Sequence, residues 1–451
     1  MTQRPIPRAT YRLQLTADFP FARAGALAPY LARLGISHAY LSPVLKARRG
    51  SQHGYDAVDH TLINPELGGA ADFERMVAAF RDHGIGVILD IVPNHMGIGG
   101  DENELWLDVL RHGAASRYAE WFDIEWSPSE PTLKDKVLVP FLGSSYAEAL
   151  ERGAFEVRHD ARTGEFAIWA EGAHKLPLAP GTVPSIGGPD GLARLNSPDG
   201  RDALAALIEA QHWRPARYSV AADDINYRRL FIVSDLAAIR VERDDVFERV
   251  HGLVFDLVAA GLVDGLRIDH VDGLYDPRAY CLRLREACPR PIYLVVEKIL
   301  APHEPLRADW GVDGTTGYEF GSAVTRLLVD PGSEAALSSA YRSMVGPIAP
   351  FEAEERGTKL DIIDFEMAAE LDRLATRLRA IAASDPRTAD LTRNALRMAL
   401  RAVVAAMPVY RTYVDRKSLN ARDARDIAVA VARAKRATPA TTTPSSSSSG
   451  R

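Results

Sequence analysis

Three apolar stretches of this chain each end in a carboxylate: Asp90 follows the letters VIL, Asp269 follows LRI and Glu297 follows LVV. Because side chains alternate along a strand, Arg267 and Asp269 share one face. A guanidinium beside a carboxylate lowers the carboxyl pKa and keeps the group ionised, as a nucleophile requires. Few charges surround Glu297 in the sequence, so we expect a raised pKa and a proton donor near neutrality. Taken singly, Asp269 also fits a structural Arg–Asp pair, and Glu297 fits a solvated glutamate at a strand end.

The three acids together favour a catalytic interpretation. In a barrel of parallel strands the carboxyl ends share one rim, and active sites lie at that rim. Two carboxylates of unequal pKa suit glycosidic-bond chemistry, in which one attacks the anomeric carbon and the other protonates the leaving oxygen. A retaining mechanism requires roughly 5–5.5 Å between them.

Strand and helix patterns alternate around these acids, which predicts βα units and an α/β fold with a parallel sheet. Apolar residues at helical spacing mark the helices, as Phe73, Met76, Val77 and Phe80 do ahead of Gly84. Helices are also expected over 335–344, 360–383 and 391–407. The predicted strands are 11–15, 36–41, 85–92, 262–268, 292–296 and, more briefly, 312–316.

Periodicity weakens between the third and fourth predicted strands, where Pro/Gly clusters and most of the tryptophans fall. Such a stretch is too long for a loop in a compact domain, so we expect an inserted domain or lid. Its tryptophans either cover the site or belong to a core. The predicted organisation is a first barrel part at 1–96 with strands 1–3, the insertion at 97–230, a second barrel part at 231–330 with strands 4–6, a helical region at 331–436 and a disordered low-complexity tail at 437–451.

Composition excludes several classes of protein. The chain has 451 residues, of which 47% are hydrophobic and 25% charged, as is typical of a globular protein with a large core. A net charge of -6 leaves no basic surface for nucleic acid. The sequence shows no signal peptide or membrane span, which indicates a cytoplasmic protein without a membrane partner. Cys281 and Cys288 are expected to be buried free thiols, and no cofactor is expected because no phosphate-binding glycine loop is apparent.

Four segments resemble the alpha-amylase family of glycoside hydrolases: SQHGYDAVDH (51–60), DIVPNHMG (90–97), GLRIDHVDGL (265–274) and VVEKIL (295–300). The resemblance implies a (β/α)8 TIM-type barrel with a large insertion after the third strand. It also implies Asp269 as the nucleophile and Glu297 as the general acid/base. The residues that it assigns to substrate binding are Tyr55, which would stack on the sugar at the cleavage point, Asp56, Asp90, His95, Arg267, which would support the nucleophile, and His270.

A metal is not expected at this site. Asn94 lies where some members of the family bind calcium, but too few acidic partners for a cation are identifiable in the sequence.

Within the family, the sequences of these segments most resemble members that rearrange a linkage within their own substrate. That resemblance implies an isomerase, an intramolecular glucosylmutase acting on a maltooligosaccharide or another α-1,4-glucan. Glu297 would protonate the last α-1,4 oxygen while Asp269 attacks, and the released glucose would turn and return through its anomeric hydroxyl to form an α,α-1,1 linkage. The alternatives are an α-1,4-glucan hydrolase of the same family and a non-catalytic glucan-binding remnant.

The chain departs from the family in two ways. The family's third acid, an aspartate after a histidine on a later strand, has no match, because no His-Asp pair follows Glu297. The predicted strands also number about six, whereas a closed barrel needs eight. We therefore expect an incomplete barrel, truncated after about residue 413 and ending in an unrelated tail, with little or no activity. Asp313 and Asp364 are the candidates for a substitute acid.

Overall fold

The computed structural model describes residues 6–160, 164–415 and 419–437. The chain divides into two compact units, one of residues 1–298 with 306–317 and the other of residues 299–305 with 318–451. The sheet and every site residue predicted from the sequence belong to the first unit. The finer boundaries expected at residues 97 and 230 stay predictions.

The first unit contains a sheet of six parallel strands that follow one another in chain order. Since every neighbouring pair is parallel, all the carboxyl ends lie at the same edge. This arrangement confirms the expected TIM-type barrel with an incomplete set of strands. The strands are β1 (Thr10–Leu13), β2 (His38–Leu41), β3 (Gly86–Ile91), β4 (Gly265–Ile268), β5 (Tyr293–Val296) and β6 (Gly314–Thr315).

Helices precede most of these strands and bury one apolar face each. Gly69–Asp82 leads into β3, and the residues that it buries are the ones whose spacing predicted it. Asp244–Ala259 leads into β4 and buries His251 within its apolar face. Outside the segment between β3 and β4, the other α-helices between strands of the sheet are Phe21–Ala26 and Ala28–Arg33 before β2 and Pro277–Ala287 before β5.

The segment between β3 and β4 forms small sheets and short helices. Trp106 and Trp213 lie in its core, with 1% and 0% of their surface exposed, so these two tryptophans do not cover the site. The strands here are His95–Gly97, Val137–Leu142, Phe155–Asp160, Glu165–Ala170, His174–Pro177, Trp213–Arg217, Arg229–Leu230 and Val233–Ala238, and an earlier hairpin joins Leu45–Ala47 to Ala57–Ile63. The helices are Glu104–His112, Tyr146–Glu151, Gly188–Leu195, Arg201–Glu209 and Ala221–Asp224.

The described part of the second unit is helical. One helix was expected over 360–383, but the chain forms two. The first ends just before Glu366, and the second begins just after Met367. No glycine or proline marks the break, and residues on both its sides, Ile363 and Leu371, pack in one cluster with Ala405. The helices are Tyr318–Leu328, Glu334–Val345, Phe351–Phe365, Ala368–Ala383, Arg393–Ala405 and Ala421–Ala437. The expected disordered tail, beyond its first residue, lies outside the described residues.

Both cysteines are free thiols, as expected, although Cys281 is buried and Cys288 only half-buried. None of the helices in the described part of the chain combines the length and the apolar content that a bilayer crossing needs.

Candidate active site

The acids predicted from the sequence meet at the carboxyl edge of the sheet. Asp90 in β3 and Arg267 in β4 are register partners, so their side chains point to the same face. Asp269 and Glu297 continue that face just beyond the ends of β4 and β5. Their amides extend the strand pairing, because Asp269 N donates to a β3 carbonyl at 2.9 Å and Glu297 N donates to a β4 carbonyl at 2.8 Å.

Arg267 joins the three acids through its guanidinium group. Its Nη1 lies 2.7 Å from Asp90 Oδ1 and 2.6 Å from Asp269 Oδ1, and its Nη2 lies 3.1 Å from Glu297 Oε1. The side chains of Arg267, Asp90 and Asp269 are almost fully buried, whereas 26% of the Glu297 side chain is exposed. One buried cation therefore holds both candidate catalytic carboxylates, and Glu297 is the one that solvent reaches.

The second oxygen of Asp90 accepts three further hydrogen bonds. Tyr55 OH donates to Asp90 Oδ2 at 2.7 Å, and Tyr40 OH and Arg12 Nη1 each donate to it at 3.1 Å. Arg12 Nη2 also donates to Tyr55 OH at 2.8 Å. Sequence reasoning missed Arg12 and Tyr40, although both lie in predicted strands. The signal available in the sequence was the charged Arg12 inside a short predicted strand. In the structure, strand register pairs Arg12 with Tyr40 on the face that carries Asp90.

Burial dominates the electrostatics of Asp269 and raises its pKa well above its ordinary value. Arg267 opposes this shift, while Asp90 and Glu297 add to it because neighbouring negative charges disfavour ionisation. The expectation that the guanidinium would keep the pKa of Asp269 low is therefore wrong: the loss of hydration outweighs the ion pair. Burial also lowers the pKa of Arg267, but the acids around it raise that pKa above its ordinary value, so the guanidinium stays charged.

His95 is fully buried and holds the loop that carries Tyr55. Its Nε2 lies 3.1 Å from the Tyr55 carbonyl oxygen, and Asn94 Nδ2 lies 3.3 Å from its Nδ1. Burial lowers the pKa of His95 to about 3, so the ring is neutral and its Nε2 donates to the carbonyl. Both ring nitrogens are thus engaged with protein groups, and a direct contact of His95 with substrate stays a prediction.

Asn94 binds the guanidinium group of Arg228. Its Oδ1 accepts a hydrogen bond from Arg228 Nη1 at 3.0 Å, and the same nitrogen donates to Gly273 O at 2.8 Å. Arg228 Nε also lies 2.9 Å from Asp123 Oδ2. No cluster of three or more His, Cys, Asp or Glu side chains suited to a metal ion occurs among the described residues.

His270 contributes its backbone to the site. With φ at 44°, its N–H donates to Glu297 Oε2 at 2.9 Å. Gly273 permits this local conformation, because a Cβ there would overlap the His270 ring and lie 2.6 Å from Asn94 Oδ1. A short turn after β4 thus positions the acid at the end of β5.

Asp56 is engaged within its own loop. Ser51 Oγ donates to Asp56 Oδ1, and Arg48 N donates to the Asp56 carbonyl oxygen at 3.1 Å. These contacts do not include the carboxylates around Arg267. Substrate binding by Asp56 therefore stays a prediction.

A buried ion pair, missed by sequence reasoning, links the segments that follow β4 and β5. Lys298 Nζ lies 3.0 Å from Asp272 Oδ2, and these side chains are 0% and 8% exposed. Lys298 comes directly after Glu297, and Asp272 lies three positions after Asp269. The pair therefore fixes the candidate nucleophile and the candidate acid relative to one another.

The two candidates for a substitute acid, Asp313 and Asp364, are both paired with arginines. Asp313 precedes β6 at the opposite end of the strand, where its Oδ2 lies 3.0 Å from Arg285 Nη2 and accepts from Leu294 N at 2.9 Å. Asp364 belongs to the second unit, where Arg401 Nε donates to its Oδ1 at 2.6 Å. Asp313 therefore lies away from the carboxyl edge of the sheet, and a role for Asp364 as the substitute acid stays a prediction.

The chain is similar to known carbohydrate-active proteins. The model of the alpha-amylase catalytic domain matches residues 27–167. A Mycobacterium tuberculosis protein named as a maltooligosyl trehalose synthase is 37% identical over 383 residues, which is 84% of this chain and 46% of that protein. Neopullulanase 2 of Thermoactinomyces vulgaris is 39% identical over 104 residues, which is 23% of this chain and 17% of the neopullulanase chain.

A solved structure extends the similarity to almost the whole chain. The maltooligosyltrehalose synthase of Arthrobacter ramosus is 34% identical, with a TM-score of 0.79 over 96% of this chain and 51% of that one. The chain thus spans about half the length of these synthases. Residues 27–167 are therefore similar to the alpha-amylase catalytic domain, and 96% of the chain shares the fold of a maltooligosyltrehalose synthase.

Proposed function

We propose that the first unit supplies the nucleophile and the acid/base of a transglycosylation that converts the reducing-end α-1,4 linkage of a maltooligosaccharide into an α,α-1,1 linkage. The observation that carries the proposal is the guanidinium of Arg267, which binds Asp269 through Nη1 at 2.6 Å and Glu297 through Nη2 at 3.1 Å. Two carboxylates that share one guanidinium lie near enough to act on one sugar ring, and the retaining mechanism is part of the proposal.

The surroundings of each carboxylate suit its proposed role. Asp269 is buried and oriented by Arg267, so it attacks the anomeric carbon from a fixed position. Glu297 is partly exposed and protonates the glycosidic oxygen as the bond to the last glucose breaks. Glu297 then removes the proton from the anomeric hydroxyl of that glucose, and the new C–O bond forms as the ester to Asp269 breaks. Two displacements at one carbon retain its configuration.

The proton required for the first step has a source within the cluster. Asp90, Asp269 and Glu297 lie around the guanidinium groups of Arg12 and Arg267, and burial together with the neighbouring acids raises the pKa of Asp269, which favours a bound proton in this cluster. The proposed reaction requires that proton on Glu297 when the glucan is bound, with Asp269 ionised.

The names of the relatives favour rearrangement over hydrolysis as the outcome. The synthases match most of this chain, whereas the match to neopullulanase 2 covers 23% of it. Turnover by the chain itself is expected to be low, because no His-Asp pair follows Glu297 and positioned electrostatic groups contribute several kcal/mol to such reactions. A cytoplasmic location stays a prediction.

The test uses the 451-residue chain and α-maltosyl fluoride, a donor whose leaving group needs no protonation. We expect release of fluoride and, after an acid quench, a glycosyl ester on the peptide that contains Asp269, detected by mass spectrometry. Asp269→Asn should abolish both signals, whereas Glu297→Gln should retain the first step. Asp309→Asn, at an exposed carboxylate, is the matched control and should behave as the unaltered chain. Fluoride release that survives Asp269→Asn contradicts the proposal.

Maltopentaose separates the two reaction types. Rearrangement lowers the number of reducing ends and gives the α,α-1,1 anomeric signal in proton NMR, without free glucose. Hydrolysis raises the number of reducing ends. A rise in reducing ends from the purified chain would replace the mutase proposal by the hydrolase one.

A further inference from the structure

Phe231 has a backbone conformation that phenylalanine rarely adopts. The strands Arg229–Leu230 and Val233–Ala238 pair antiparallel and leave Phe231 and Ile232 as a two-residue turn. Such turns need a positive φ at their first central position, where Gly, Asn or Asp usually lies. Phe231 occupies that position with φ at 51°. A large aromatic residue there is strained, and such strain persists mostly where function requires the side chain.

Burial does not compensate for this strain. The Phe231 side chain is 55% exposed, and the next two residues, Ile232 and Val233, are each 43% exposed. An asparagine at the turn would relieve the backbone and lose little packing. The aromatic ring is therefore better explained by a contact outside the folded chain.

The ring lies next to the candidate catalytic acids. Phe231 meets the His270 ring edge-to-face, with centroids 4.9 Å apart. His270 directly follows Asp269, and its own N–H binds Glu297 Oε2 at 2.9 Å. Phe231 thus lies on the side of the site where Glu297 protonates the leaving oxygen.

The hairpin that carries Phe231 is fixed to this side of the site. Arg228, just before the hairpin, donates to Asn94 Oδ1 at 3.0 Å and to Gly273 O at 2.8 Å. Arg229, at its start, is 7% exposed and donates to Ile232 O at 3.3 Å. The exposed ring is thus supported by partly buried polar contacts behind it, as a binding group on a rigid support requires.

We infer that the exposed face of Phe231 packs against the glucose that leaves on the Glu297 side and keeps it in place until its anomeric hydroxyl returns. The inference rests on the proposed function. A pyranose ring presents C–H groups on its faces, which pack on an aromatic ring while the hydroxyls at its edge bind polar groups. An apolar wall here also excludes the water that would otherwise attack the ester on Asp269.

The experiment separates strain from binding. Phe231→Asn should raise the midpoint of thermal unfolding, because Asn tolerates the left-handed conformation, yet weaken maltopentaose binding in calorimetry by about tenfold. Phe231→Trp should keep the affinity. Glu171→Asn is the matched control, since Glu171 shares the φ of 51° in another turn of the first unit, and it should leave the affinity unchanged.

A second measurement tests the position of the contact. With α-maltosyl fluoride as donor and glucose as acceptor, Phe231→Asn should shift the products from transfer towards hydrolysis. Unchanged affinity or an unchanged product ratio in Phe231→Asn overturns the inference, and so does a lowered midpoint, which would make Phe231 a packing residue. If the unaltered chain binds no maltopentaose, the proposed function fails as well, so the two failures are distinguishable.

Discussion

Asp90 and Arg267 lie directly opposite one another in β3 and β4, and their side chains meet at 2.7 Å between Oδ1 and Nη1. Parallel register places them on one face, and Arg267 then extends to Asp269 and Glu297. The cation is therefore the common partner of all three buried or half-buried acids. The stability of the site and the charge of its acids should both depend on it.

Arg267→Met should destabilise the first unit by about 3–5 kcal/mol, because it leaves buried carboxylates without their cation. It should also raise the pKa of Asp269 further, since Arg267 opposes the present shift. All six tryptophans lie in the first unit, so urea unfolding followed by tryptophan fluorescence reports on that unit.

Arg278→Met is the control for Arg267→Met. The side chains of Arg278 and its partner Asp309 are 56% and 60% exposed, and such surface pairs contribute at most about 1 kcal/mol. Equal losses in the two variants would show that Arg267 is not a buried charge centre.

Tyr55→Phe should lower the free energy of unfolding by about 1–3 kcal/mol, because it removes the hydroxyl that lies between Arg12 Nη2 and Asp90 Oδ2. Burial raises the pKa of Tyr55, so this hydroxyl stays protonated and donates to the carboxylate. Urea unfolding measures the stability, and calorimetry with maltopentaose measures the effect on binding. Tyr30→Phe, at a half-exposed side chain, should change stability by less than about 0.5 kcal/mol. A Tyr55→Phe chain as stable as Tyr30→Phe would refute the proposed bridge.

Gly273→Ala should lower the free energy of unfolding by about 1–3 kcal/mol, since the added methyl overlaps the His270 ring and approaches Asn94 Oδ1 to 2.6 Å. The displaced turn should also lose the amide contact to Glu297, and fluoride release from α-maltosyl fluoride should slow. Gly252→Ala lies in open space within the helix Asp244–Ala259 and should instead stabilise the chain by about 0.5–1 kcal/mol. Similar behaviour of the two variants would contradict the close packing at Gly273.

His251 should make the first unit less stable in acid. Burial lowers its pKa to about 3, with Nδ1 donating to Phe247 O and Tyr280 OH donating to Nε2, both at 2.8 Å. In the unfolded chain a histidine takes up its proton near pH 6.5, whereas folded His251 does so only near pH 3. Below pH 6.5 the unfolded state therefore binds the extra proton, and the free energy of unfolding falls by about 1.4 kcal/mol per pH unit for this group.

His251→Gln should remove that contribution. Urea unfolding at steps between pH 4 and pH 8 should show a shallower loss of stability in the variant below pH 6.5 and parallel curves above it. Parallel curves throughout would mean that His251 titrates alike in the folded and unfolded chains.

The sequence by itself determined the parallel sheet and the acids at its edge, because strand alternation and βα order place the residues after each strand on a common rim. It predicted Asp90, Asp269, Glu297 and Arg267 for this reason. Local pattern alone also predicted the helix Gly69–Asp82.

Only the tertiary structure decided how these groups are charged and held. Register brought Arg12 and Tyr40 onto Asp90, and burial reversed the expected pKa shift of Asp269. The helix break near Glu366 and the strained turn at Phe231 likewise have no local signal. Desolvation and contacts between distant strands depend on the whole packed fold, whereas periodicity records only which face of an element is apolar.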